Sequence, residues 1–155
     1  MSRVIENEMR AFAGRYTMRG PELLLSAQAA QNMSLVIHEL ATNASKHGAL
    51  SHPDGNVAIE WRFEEGHSEP LLTFEWKEWG GPPAKPPRRM GFGYTLLKTV
   101  LRDADLKPEI QYGPEGLHYR ATVRVCSVLA NSGELFESRG ASSKPALETV
   151  SGAGP

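Results

Sequence analysis

In the stretch HELATNASKHGALS, residues 38 to 51, an acid, an amide and a base fall on successive turns of what reads as a helix. At 100° per residue, Glu39, Asn43 and Lys46 lie within about 60° of one another, with Thr42 at the edge of the sector. A carboxylate and an amide one turn apart can share a hard divalent cation or its waters. A lysine one turn further on can neutralise a phosphate. Taken alone, the same residues also make an ordinary solvated helix face. A second candidate is FEWKEWGGPP, where Glu78 sits at a strand end before Gly80-Gly81. An acid there can accept a hydrogen bond from a buried amino group while the chain passes close to a flat ligand. An exposed acid before a turn reads equally well. A third is RRMGFGYTLL, in which Gly91 and Gly93 precede a helix start and Arg88 and Arg89 stand just before it. Backbone N–H groups and the helix dipole favour an anion at such a place. The third glycine and leading strand of a dinucleotide fingerprint are missing, as is the GKS or GKT of a P-loop. A flexible turn with a helix cap fits the third stretch too.

These residues need elements to hold them. Ser26 is a suitable N-cap for a helix over 27–47. Met33, Val36, Ile37, Leu40, Ala41 and Ala44 form its buried stripe, and Gly48 ends it. Upstream, residues 2–13 read as a helix, and RYTMRG and ELLLS as two short strands split by the turn chemistry of Gly20-Pro21. NVAIEWRFEE (56–65) alternates as a half-buried strand, and LLTFEW (71–76) is its hairpin partner. From Trp79 to Met90 prolines and glycines exclude helix and central strand, leaving a loop. YTLLKTVLRDAD then reads as a helix and residues 109–125 as a closing hairpin turning at Gly113 to Gly116. From about Ser127 the composition shifts to Ser, Gly, Ala and Pro, which predicts a flexible tail. Helices and strands in mixed order, with several hairpins, predict an α/β (α+β) domain: a mostly antiparallel sheet with helices on one face.

With 155 residues, the chain is long enough for one domain with a sizeable core. Its 17 basic and 18 acidic residues nearly cancel, so no overall field favours nucleic acid or an anionic membrane, and any anion site must be local. The single cysteine, Cys126, excludes an internal disulfide, and no Cys/His spacing suggests zinc. No apolar run is long enough to span a bilayer, and MSRVIENEMR is too polar for a signal peptide, so a cytoplasmic location is expected.

Taken together and in this order, the three stretches resemble the ATP-binding domain of the GHKL superfamily, and specifically that of the HWE-type sensor histidine kinases. The marker histidine reads as His38, and the marker Trp-x-Glu as Trp76-Lys77-Glu78. The resemblance spans roughly residues 17 to 125. It implies the Bergerat fold, a two-layer sandwich with a mixed sheet of about five strands under three helices. It also implies ATP and Mg²⁺ as ligands, lying between the helix at 27–47 and the loop at 79–93. By the same resemblance Asn43 would ligate Mg²⁺, and Glu39 would be the catalytic residue, positioning a magnesium-bound water. Lys46 and His47 would reach the phosphates. Glu78 would stand where most relatives have an aspartate that binds the adenine amino group, and Gly80 would let the chain pass the base. Residues 82–90 would be a short lid, with Arg88 or Arg89 on phosphate. Gly91 and Gly93, flanking Phe92, would be its hinge, with backbone N–H groups on the phosphates. The chain departs from the wider pattern in two places: Pro82 replaces a glycine, and the adenine-site acid is one methylene longer. His38 points away from Asn43 on the helical wheel.

The resemblance also implies partners. The γ-phosphoryl would pass to a histidine on a separate dimerising domain of the parent kinase, and then to the receiver domain of a response regulator. Residues 1–13 would be the end of a connecting segment, 14–127 the catalytic domain and 128–155 a tail. None of His38, His47, His52, His67 and His118 suits the acceptor role, so a catalytic domain unable to autophosphorylate alone is expected. A nucleotide-binding regulatory module without catalysis, and an anti-sigma-type serine kinase of the same fold, are the alternatives.

Overall fold

The computed structural model describes residues 1–64, 67–87, 92–101 and 106–130, without the side chain of Phe92. Five strands form one sheet in the order β1-β2-β3-β5-β4: β1 (Tyr16–Arg19), β2 (Asn56–Glu64), β3 (Leu71–Trp79), β4 (Glu109–Tyr112) and β5 (Leu117–Arg124). Only β1 against β2 is parallel; the other three pairings are antiparallel. The α-helices are α1 (Ser2–Met9), α2 (Ala27–His47), α3 (Phe92–Thr99) and the single turn α4 (Val125–Val128). This is the expected α+β class with a mixed, mostly antiparallel five-stranded sheet.

The sheet has two unlike faces because side chains alternate along each strand. On one face Ile59, Trp61, Phe74, Trp76, Tyr119 and Ala121 meet the apolar sides of α1 and α2 in the core. The Tyr119 hydroxyl donates to the Leu97 carbonyl at 3.0 Å, which ties α3 down to β5. The other face is an ion-pair lattice centred on Glu75, which Lys77 meets at 2.7 Å and Arg62 at 3.1 Å. β3 lies mid-sheet, so it is buried on both faces from Leu71 to Trp76.

α2 forms as expected. The Ser26 hydroxyl accepts from the Ala29 N–H at 3.2 Å, and the Gly48 N–H reaches the carbonyls of Asn43 and Ala44, both at 3.1 Å. The chain then turns through a loop that Arg15 holds from below. Its guanidinium donates to the carbonyls of Leu50 and Gly55 at 3.2 and 2.8 Å, and also to that of His52. Buried loop carbonyls need such partners, and one planar fork supplies several donors.

Several boundaries differ from expectation. Residues 22–26 are not a strand; they make one bridge, Leu25 to Leu129. The Leu23 carbonyl that a strand would offer a neighbour is claimed by the Met1 amine at 2.6 Å, and just before the run the Pro21 carbonyl accepts from the Trp61 indole at 2.7 Å. β3 runs on to Trp79 instead of ending at Trp76, because it pairs with β2 through Asn56. α3 begins at Phe92, so Gly93 lies within its first turn instead of before it, and the helix closes at Thr99. Val125 opens α4 instead of extending β5. Val128 and Leu129 are buried, and the Ala130 N–H donates to the Leu24 carbonyl at 3.0 Å, so packing continues past residue 127. The remainder of the expected tail, 131–155, lies outside the described residues. In α1, within the expected connecting segment, Ile5 and Met9 are wholly buried against the rest of the core.

Candidate functional site

A cavity of about 460 Å³ opens between the C-terminal half of α2, the loop after β3, the start of α3 and the β4–β5 edge. That size suits a small-molecule ligand. Its acidic and amide lining comes from two elements. α2 contributes Glu39, Asn43 and His47, and β3 contributes Glu78. Leu97 of α3, Ile110 of β4 and Leu117 of β5 are apolar lining, the rings of Tyr94 and Tyr112 join them, and Ala84, Lys85 and Pro87 line it from the loop. The loop is fastened at its middle, where the Ala84 N–H donates to the Gly113 carbonyl at 2.9 Å.

Glu39 and Asn43 are joined, the amide Nδ2 donating to Glu39 Oε1 at 3.1 Å. With that N–H occupied, the Asn43 carbonyl oxygen and the second Glu39 oxygen remain as hard acceptors beside the cavity. Gly93 crowds this pair so closely that a Cβ there would overlap the Glu39 carboxylate.

Glu78 is a buried carboxylate with two fixed donors. Oε2 accepts from the Ala49 backbone N–H at 2.8 Å and Oε1 from the Trp76 indole N–H at 3.0 Å. Burial pushes its carboxyl pKa up, and these two N–H groups hold it back. Room for Oε2 exists because residue 48 is glycine: a Cβ there would overlap that oxygen and come within 2.9 Å of the Ala44 Cα. Burial likewise pushes the Tyr112 hydroxyl up, as does the neighbouring Tyr94.

Of the residues expected from sequence, the fold brings Glu39, Asn43, His47, Glu78 and Gly93 to this one cavity. Lys46 is exposed and is not part of the lining. Gly80 adopts a left-handed φ of 74° and packs on the Asp54 carbonyl, away from the lining. Arg88, Arg89, Gly91 and the side chain of Phe92 lie outside the described residues. His38 stands on the flank of α2, where its Nδ1 meets Glu8 of α1 at 3.1 Å, and the Ser34 hydroxyl donates to the other Glu8 oxygen. It is a tie between two helices and does not line the cavity. Lys85, Tyr94 and Tyr112 were not singled out from sequence. Alternation along β4 marks Ile110 and Tyr112 as one face, and Lys85 is the one charged residue between Trp79 and Pro87.

No protein-family model matches the chain. A blue-light-activated histidine kinase from Brucella anthropi is 41% identical over 107 residues, which is 68% of this chain and 22% of that protein. The namesake from Brucella ovis is 40% identical over the same length. The chain thus spans about a fifth of the length of the curated relatives it matches. Among solved structures, the histidine kinase domain of the Erythrobacter litoralis EL346 blue-light activated histidine kinase superposes with a TM-score of 0.59 at 13% identity, covering 81% of this chain and 59% of that one. The catalytic domain of histidine kinase ThkA gives 0.51 at 11% identity, covering 80% and 92%. By sequence the chain is related to the blue-light-activated histidine kinases, and its fold is that of histidine-kinase catalytic domains.

Proposed function

We propose that this domain binds ATP with Mg²⁺ in the cavity beside α2 and donates the γ-phosphoryl to a histidine on a separate domain of a sensor kinase. The observation that carries the reading is the pairing of unlike chemistry in one cavity. Glu78 is a buried, acceptor-rich group suited to the adenine amino group, between apolar walls suited to a flat base. Glu39 and Asn43 are hard-oxygen groups suited to a cation that accompanies phosphates. His47 and Lys85 add donors for the phosphates.

The residues fit Mg²⁺. Among the described residues no three His, Cys, Asp or Glu side chains cluster as a metal cage. Magnesium is characteristically bound by one or two protein oxygens plus waters and substrate phosphate, which is what Glu39 and Asn43 can give. Bound there, the ion would neutralise charge on the transferring phosphoryl group. Asn43 would ligate it through Oδ1 and Glu39 would orient a coordinated water. The protein's share is positioning and charge neutralisation, with no covalent enzyme intermediate. The phosphoryl group would then pass from the histidine to an aspartate of a receiver domain. No described helix is long and apolar enough to cross a membrane, and we place the ATP-consuming step in the cytoplasm.

Titration calorimetry with ATP and Mg²⁺ tests the reading. Saturable, Mg²⁺-dependent binding that weakens at least about tenfold in Asn43→Ala is expected. Equal binding by both proteins would contradict the metal assignment, and no binding by either would contradict the function.

A further inference from the structure

We propose that Trp76 is a positioning residue of the nucleotide site: its indole N–H holds the Glu78 carboxylate in the orientation that recognises the adenine amino group. The inference rests on the ATP reading above and adds a residue that does not itself touch the cavity.

Trp76 and Glu78 are two residues apart on β3, so both face the core side of the sheet. Trp76 is wholly buried and Glu78 nearly so, at 5% exposure. A buried indole N–H needs an acceptor, and here the acceptor is Glu78 Oε1. Opposite it, the Ala49 N–H takes Oε2. Each carboxylate oxygen carries two acceptor sites, so one per oxygen is used and one per oxygen is left. Two donors, one on each oxygen, also fix the rotation of the carboxylate plane. Glutamate has one more rotatable bond than aspartate, and a second donor is what removes that extra freedom. Trp76 is absent from the cavity lining. Its effect on a ligand must therefore run through Glu78.

Charge follows the same geometry. The Trp76 N–H favours the ionised form of a carboxyl that burial drives toward the neutral form. Without it, Glu78 takes up its proton at a higher pH and turns a donor toward the base amino group. The other ionisable groups lining the cavity are Glu39 and His47 of α2, Lys85 of the loop, Tyr94 of α3 and Tyr112 of β4. All are unchanged by a substitution at Trp76, so they shift both titrations alike.

The test is a titration of ATP·Mg²⁺ and GTP·Mg²⁺ into wild type and Trp76→Phe from mildly acid to neutral pH. Loss of a hydrogen bond to a charged group predicts about tenfold weaker ATP binding. The preference for ATP over GTP should narrow, and the acid limb of ATP binding should move to higher pH. Because phenylalanine leaves a void, a second variant carries benzothienylalanine at position 76, which keeps the ring shape and lacks the N–H. It should show the same losses with an unchanged unfolding midpoint. If wild type binds ATP and the benzothienyl variant matches it in affinity, ATP/GTP ratio and pH profile, the positioning role is overturned and the ATP reading stands. If wild type binds no ATP, both fall together.

Discussion

Gly48→Ala is the most informative single change. In a helix C-cap glycine the usual argument is a left-handed φ, but here φ is −111°, which alanine adopts freely. The cost must come from the added methyl group alone. Built on the present backbone, that Cβ overlaps Glu78 Oε2 and reaches 2.9 Å from the Ala44 Cα. Ala44 is wholly buried helix backbone and cannot retreat, so Glu78 must move. Moving it breaks the 2.8 Å bond from the Ala49 N–H and leaves a buried donor and a buried carboxylate short of partners. Such losses cost about 2–3 kcal/mol. For a domain of this size that lowers the thermal midpoint by roughly 10 °C. Urea unfolding followed by circular dichroism measures the cost directly. A double-mutant cycle isolates its origin: in a Glu78→Ala background the overlap with the carboxylate disappears and only the 2.9 Å approach to the Ala44 Cα remains, so Gly48→Ala should cost less there by about 1 kcal/mol or more. If Gly48→Ala costs the same with and without the Glu78 side chain, the close packing of helix end and carboxylate is not what residue 48 accommodates.

Gly93→Ala should behave oppositely, since the atoms nearest its new Cβ are the far end of the flexible Glu39 side chain; unfolding should change by under about 1 kcal/mol, while the Mg²⁺-dependent part of ATP binding falls in calorimetry. His38→Ala should leave ATP affinity unchanged, because His38 contacts Glu8 outside the cavity; fluorescence titration with a nucleotide analogue checks this. Acid should destabilise the fold through Glu75. Burial raises its pKa, but hydrogen bonds and charge from Lys77 and Arg62 bring it down to about 2. A depressed carboxyl stabilises the folded state above its unfolded value and loses that stabilisation as pH falls through the folded value. Stability should therefore decline from about pH 4.5 to 2, and more shallowly in Glu75→Gln, as read from urea midpoints against pH. Glu78, with its raised pKa, has the opposite sign: its ionisation costs stability as pH rises through that value, which moderates the acid loss.

How far the chain could be read in advance depended on whether a signal was local. α2 was legible from end to end, since six of its seven buried residues form one readable stripe and a serine cap and a terminal glycine lie within the same segment. β2 was legible because it alternates. β3 was read too short because a mid-sheet strand buried on both faces loses its alternation, and its last two residues, Glu78 and Trp79, pair with β2 alone. The run Leu23-Leu24-Leu25 has no period, and what it does depends on Met1, Leu129 and Ala130, distant in sequence. At the site, the polar residues of α2 and Glu78 stood out, as charges in apolar segments do. The apolar wall did not, since Leu97, Ile110 and Tyr112 carry the same pattern whether they line a cavity or fill a core. Gly48 read as a helix stop; that it also makes room for a carboxylate thirty residues away is a tertiary fact. The histidine marker His38 likewise gained a physical role only through Glu8, across two helices.

The proposed site is tested most directly by where a nucleotide sits. A crystal structure of the chain with a non-hydrolysable ATP analogue and Mg²⁺ should place the base amino group within hydrogen-bonding distance of Glu78 and the metal on Asn43 Oδ1. The ring should lie against Ile110 and Leu97. A nucleotide bound elsewhere, or one that leaves Glu78 and Asn43 without contact, would contradict the proposed nucleotide site.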